Sequence, residues 1–286
     1  MKSKNLSLFG LAVALLMACT NYPQNQEWIN YTNGNEINCL AEEGDFMWVG
    51  TAGGGLVKIN KISGETSFFN RSNSGLPGNY VMSIAIDGSD NKWIGTYGGG
   101  LAQFDGTNWT VYNSSNSGLP GNYVTSIAID GSGNKWIGTD EGLARFDGTN
   151  WTVYNTSNSG LPNDNVTSIA IDSSGNTWIG TGVGGLARFD GTNWTVYNTL
   201  NSRLSSNYVH SITIDGSGNK WIGTDEGLAR FDGTNWTVYN TFNSGLPDND
   251  VRSIAIDGWG NKWIGTHYGG LAVFNKGGVV SIKSTP

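Results

Sequence analysis

The chain of 286 residues contains two histidines, His210 and His267. Any imidazole acid–base or metal chemistry must therefore run through one or both. His267 is followed by Tyr268, and Arg252 lies a short way before them. Tyr97 and the acidic pairs Asp140/Glu141 and Asp225/Glu226 complete the set whose chemistry stands out. Tyrosine and histidine beside arginine and carboxylates suit a polar, ring-shaped or charged ligand, stacked by the rings and oriented by the polar groups. A catalytic triad cannot be argued, because serines and aspartates here are abundant in turns. Two histidines are too few for a metal cluster without carboxylate help. Asp130-x-Ser132-x-Asn134 with Glu141, and Asp215-x-Ser217-x-Asn219 with Glu226, mimic calcium-loop spacing. However, Lys135 and Lys220 replace the required glycine and a strand intervenes, so neither is read as a calcium site. No metal and no cofactor are expected.

The elements that position these residues form a repeat. A W-[IV]-G-T tetrapeptide begins at Trp48, Trp93, Trp136, Trp178, Trp221 and Trp263, in steps of 42–45 residues. In the copy from 124 to 161, Val124–Ile129 is a β-rich run and Asp130–Asn134 is turn chemistry. Lys135–Thr139, Leu143–Phe146 and Asn150–Tyr154 read as three more strands, with Asp147-Gly148 as a hairpin turn. Apolar residues on both faces of such a sheet, Ile127 and Trp136 among them, require a neighbour on each side. Stacking the sheets around an axis satisfies both faces, so the period predicts an all-β, six-bladed β-propeller of four-stranded antiparallel blades. The recurrent tryptophans are read as core packing and not as stacking platforms for sugars.

In a four-strand meander the second-to-third turn and the inter-blade link emerge at the same end. The second-to-third turns differ between copies: they begin at Ala52, Tyr97, Asp140, Gly182, Asp225 and His267. The second residue of the first strand also differs: Asn38, Met82, Thr125, Thr167, His210 and Arg252. Loops on a rigid scaffold are where binding residues concentrate. One asymmetric pocket is expected there, with Tyr97, Arg252, His267 and Tyr268 meeting across the ring closure and His210 and the acidic pairs nearby. The bland alternative is drift at solvent-exposed loop tips. Trp259 replaces a small or acidic residue in a first turn, at the opposite end.

Residues 1–18 read as an export leader, with Lys2 and Lys4 before the short apolar run Leu6–Leu16. Leu16-Met17-Ala18-Cys19 resembles the lipobox of bacterial lipoproteins, which implies cleavage before Cys19 and acylation of it. Thr20 is not the aspartate that retains lipoproteins at the inner membrane, so an outer-membrane lipoprotein is expected, in either leaflet. Residues 19–27 are a polar tether and 28–274 the propeller. Trp28–Tyr31 matches a fourth strand and is expected to close the ring. Val279–Lys283, within the tail 275–286, is the rival closing strand. With Cys19 acylated, Cys39 has no intrachain partner and is read as a small buried apolar residue. The net charge of −7 argues against nucleic acid and against a polybasic membrane patch.

The pattern S-I-A-I-D-G-x-G-N-K-W-I-G-T-x-x-G-L-A-R-F-D, seen at Ser126–Asp147 and Ser211–Asp232, resembles the two-component regulator propeller repeat. That resemblance implies a sensor propeller of the kind found in the periplasmic parts of hybrid histidine kinases that respond to polysaccharide fragments. The kinase and regulator domains and the membrane span of those proteins are not among these residues. The expectation is therefore an exported, lipid-anchored, non-enzymatic binding module for a glycan or peptide, with a surface or periplasmic protein as a further possible partner. The alternatives are a propeller lyase or hydrolase using His267, Tyr268 and Arg252, and a passive protein-interaction platform. The first turns also resemble the Asp-box of sialidase propellers, but the Asp-to-Gly spacing is one residue longer and no sialidase activity is implied.

Overall fold

A computed structural model describes residues 36–278. It is an all-β, six-bladed propeller, with five antiparallel four-stranded blades and a sixth that has three strands among the described residues. The third blade runs Val124–Ile129, Lys135–Thr139, Gly142–Phe146 and Trp151–Tyr154, within a residue of the strands predicted for it. The first blade starts with Ile37–Glu43, and the last three strands are Val251–Ile256, Lys262–Thr266 and Leu271–Phe274. Both proposed closing strands, Trp28–Tyr31 and Val279–Lys283, lie outside the described residues, as do the leader and Cys19.

Each interface between blades is a small core. Trp93 and Leu101 of the second blade and Leu119 of the link pack on Val124, Ile127, Ile137, Ala144 and Phe146 of the third. The third-to-fourth and fourth-to-fifth interfaces repeat this set. The glycine of W-[IV]-G-T makes the close approach possible. A Cβ built on Gly138 would lie 2.5 Å from Val166 Cγ1 of the next blade, and one on Gly95 would lie 2.5 Å from Val124 Cγ1. Serines on the first strands add a polar stitch: the Ile127, Ile169 and Ile212 N–H groups donate to Ser83, Ser126 and Ser168 of the preceding blade.

The six tetrapeptide tryptophans are all buried, as expected for core packing. A buried indole N–H needs an acceptor. In five blades it donates to the aspartate that opens the first turn, from Trp93 to Asp87 at 2.9 Å through Trp263 to Asp257 at 3.0 Å. In the first blade Glu43 takes this role for Trp48, at 2.7 Å. The other aspartate oxygen caps the turn: Asp130 Oδ1 accepts the N–H of Ser132 and of Asn134. This commits the carboxylates of the calcium-like motifs to the backbone and the indole.

A lysine from the next blade lies over the same indole and near the same acid. Lys135 stands 4.7 Å from the Trp93 ring and 3.4 Å from Asp87, and Lys220 and Lys262 repeat the arrangement on Trp178 and Trp221. Lys92 pairs with Glu43 over Trp48. Burial pushes the Asp87 carboxyl up, but donors from Trp93, Asn91 and Ser89 outweigh it and hold the group at about 2. The corresponding acids Glu43, Asp130, Asp172, Asp215 and Asp257 are lowered by the same opposition. A folded-state value below the unfolded one means stability that is complete above the ordinary carboxylate range and is lost as pH falls through the folded value, near 2 for Asp87.

Cys39 packs beside the first inter-blade core, and burial pushes its thiol up to about 12 against an opposing backbone contact at Gly50. It is not a reactive thiolate at neutral pH. Among the described residues no helix is long and apolar enough to cross a membrane.

Gly138→Ala should force the third and fourth blades apart, at a cost of about 1–3 kcal/mol for overpacking a close-fitted core. Chemical denaturation of the variant against the parent checks this, and an unchanged midpoint would contradict the close approach at Val166.

Candidate functional site

The variable turns and the inter-blade links meet at one end of the propeller. The Tyr97 and His267 N–H groups donate to the carbonyls of Tyr80 and Asp250 in the links before their own blades. Gly98 and Gly100 donate to Asn122 in the link that follows. At each junction, five positions therefore come together: the second residue of two consecutive first strands, the first residue of two second-to-third turns, and the link residue just before the later blade.

At the fifth-to-sixth junction these five are His210, Arg252, Asp225, His267 and Asp250. Asp250 is the hub. Its Oδ2 accepts from Arg252 Nη2 at 2.6 Å and lies 3.0 Å from His267 Nδ1. Its Oδ1 faces His210 Nε2 of the preceding blade at 3.4 Å. Arg252 Nη2 is 3.5 Å from His267 Nδ1. The His267 and Tyr268 rings stack with centroids 3.9 Å apart, and Tyr208 packs on His210 at 4.6 Å. The Tyr268 N–H is held by Asp248 at 2.8 Å. The His210 side chain is only 10% exposed, whereas Tyr268 is 84% exposed. His210 Nε2 and Asp250 Oδ1 face each other in the buried part of the cluster, and Arg252 Nε is buried without a hydrogen-bond partner.

Burial, and then the Arg252 charge, lower the His210 value, with Asp250 and Asp225 opposing. His210 is accordingly neutral at pH 7. Asp225 acts on it through charge and, like Glu226, is exposed.

At the second-to-third junction the same five addresses hold Met82, Thr125, Tyr97, Asp140 and Tyr123. Together with Val124 they line an open cleft of about 280 Å³. Tyr97 meets Tyr123 edge to face at 4.2 Å and Tyr80 at 5.7 Å. Glu141 is exposed beside Asp140. The expected single pocket is thus divided. His210, Arg252, His267 and Tyr268 come together with Asp225 in reach. Tyr97 and Asp140 lie at a separate junction, because the blade carrying Tyr97 is not next to the one carrying Arg252. No hydrogen bond, ion pair or ring contact joins the two groups among the described residues.

Other variable positions serve the scaffold. Thr125 and Thr167 donate to the Val166 and Val209 carbonyls of the next blade, and Asn38 donates to Val81 at 2.9 Å. Trp259 is 58% exposed at the opposite end. Sequence reasoning missed Asp250, Tyr80, Tyr123 and Tyr208. All four hold the residue before the first-strand valine, where the chain reads Tyr80, Tyr123, Asn165, Tyr208 and Asp250. That variation was available in the repeat. Among the described residues no group of three or more histidine, cysteine or acidic side chains is placed to hold a metal ion.

The two-component regulator propeller family model matches residues 118–141 and 160–182, which run through the third and fourth blades. No curated protein matches it. Among solved structures, the extracellular domain of the hybrid two component system BT3049 from B. thetaiotaomicron is 26% identical with a TM-score of 0.73, over 86% of this chain and 35% of that one. PorZ, a surface component of the type-IX secretion system of Porphyromonas gingivalis, is 21% identical with a TM-score of 0.61, over 84% and 38%. Virginiamycin B lyase from Staphylococcus aureus is 14% identical with a TM-score of 0.69, over 85% and 81%. The last two show the fold alone. The chain spans little more than a third of the length of the first two.

The charges around His210 can be separated by substitution. Arg252→Gln removes a lowering charge and should move the His210 value upward, whereas Asp250→Asn removes a raising one and should move it down. Imidazole titration by NMR checks both directions, and shifts of the same sign would contradict the arrangement.

Proposed function

We propose that this protein is an exported, non-enzymatic binding module of the bacterial cell envelope that recognises a glycan or peptide at the loop end of the propeller. The observation that carries the reading is the convergence of His210, Arg252 and His267 on Asp250, with Tyr268 exposed beside them. The fold supplies two blades for this site, and the part-exposed Arg252 and His267 side chains with exposed Tyr268 supply its capacity to orient a ligand. The similar protein that is an extracellular domain supports an envelope location. The lipobox-like ending at Cys19 supports an acyl anchor, with the outer membrane as its place.

A second reading has one observation in its favour. His267 Nδ1 lies 3.0 Å from Asp250, which leaves Nε2 as the ring nitrogen free for proton transfer. A lyase or hydrolase using His267 with Arg252 and Tyr268 would draw on that pair. A passive protein platform is the third reading, and it needs neither group.

Screening the purified propeller against glycan and peptide panels should give saturable binding without turnover. Arg252→Ala and Tyr268→Ala should each weaken it about tenfold or more. Turnover of a bound compound that is lost in His267→Ala would favour the enzyme, and binding indifferent to both substitutions would remove the site. For the anchor, Cys19→Ser should shift the protein from the membrane to the soluble fraction of expressing cells, and unchanged fractionation would overturn acylation.

A further inference from the structure

The cleft at the second-to-third junction differs in chemistry from the cluster around Asp250. Its walls are Met82, Tyr97, Tyr123, Val124, Thr125 and Asp140. The Thr125 hydroxyl is already engaged with the carbonyls of Gly138 and Val166. What remains is aromatic and aliphatic surface with one carboxylate and the phenol hydroxyls of Tyr97 and Tyr123. Asp140 Oδ1 is buried and has no hydrogen-bond partner, and no cationic side chain pairs with Asp140 among the described residues. Gly121 makes room for it: a Cβ there would lie 2.7 Å from Asp140 Oδ1 and 3.1 Å from Glu141 Cβ. Tyr97 is 60% exposed and Tyr123 37% exposed, and their rings are inclined at 66° to each other, so π surface from two directions reaches the opening.

We propose that this cleft binds an alkylated ammonium group, with the rings of Tyr97 and Tyr123 against its alkyl shoulders and Asp140 as counter-charge. A cation with apolar substituents is attracted by the ring faces and needs few hydrogen bonds. A neutral sugar fits less well, because most of its hydroxyls would face aromatic and aliphatic surface, with polar partners confined to the Asp140 carboxylate and the two phenol hydroxyls. The charge balance agrees: the chain carries a net −7, and Asp140 is uncompensated locally. The assignment does not depend on the reading of the Asp250 cluster, since no residue is shared.

Calorimetric titration of the propeller with choline chloride tests it, with 3,3-dimethyl-1-butanol as the neutral analogue of the same shape. Saturable choline binding is expected, with the neutral analogue about tenfold weaker or more. Asp140→Asn should lose about as much, Tyr97→Ala should lose binding, and Tyr97→Phe should keep it because the ring face remains. Thermal melts of each variant establish that it is folded. Co-sedimentation with phosphatidylcholine vesicles would assign the group to a lipid head, and binding of free choline alone would assign a soluble ligand. Absence of saturable choline binding to the folded parent, equal binding of the neutral analogue, or an unaffected Asp140→Asn variant would overturn the proposal.

Discussion

A buried indole N–H that must find an acceptor sets the organisation of every blade. The tetrapeptide tryptophan sits in the core between blades, where water cannot satisfy its nitrogen. The first-turn acid supplies the acceptor and simultaneously ties down the turn backbone, as Asp130 does for Ser132, Asn134 and Trp136. In four of the five internal junctions a lysine of the next blade joins the same acid and indole. Thr177 stands in that place at the third-to-fourth junction, and Met47 holds it in the first blade. One residue type thus couples turn, strand and neighbour at one end of the ring. The same commitment keeps those carboxylates from serving as a ligand site.

The opposite end is freed by that arrangement. Its turns are held mainly by backbone bonds to the links, so their side chains can change without loosening the blade. Five addresses recur at each junction, and the chain fills them in contrasting ways. Thr125 and Thr167 reinforce the scaffold, Met82 with Tyr97 and Tyr123 makes an aromatic cleft, and His210 with Asp250, Arg252 and His267 makes a polar cluster. The scaffold decides only where side chains meet. The departures from the repeat decide what they can hold.

Much of the fold was legible because each copy restates the same physics. Periodic tryptophans, alternating apolar strands and turn residues all point to stacked sheets, and the strands of the third blade fall within a residue of their predicted ends. The site was legible only in part. Arg252, His210, His267 and Tyr268 stood out by type, and the shared end of the blades followed from connectivity. Tyr97 does not join them: it belongs to the second blade and Arg252 to the sixth, and in a ring of six those two blades are not neighbours. Asp250 lies outside the variable turn and strand positions, in the link just before the first strand of the sixth blade.

The sequence by itself determined the number of repeats, the strands within each, the buried tryptophans and the end at which variation collects. These depend on local pattern and on the requirement that both faces of a sheet be covered, and local pattern is written along the chain. Tertiary structure alone decided which variable side chains touch, that one aspartate gathers three partners from two blades, and that another lines a tyrosine-walled cleft without a counter-charge. Those outcomes depend on distances across blade interfaces, between residues some forty positions apart in the chain. No single repeat contains both sides of such a contact.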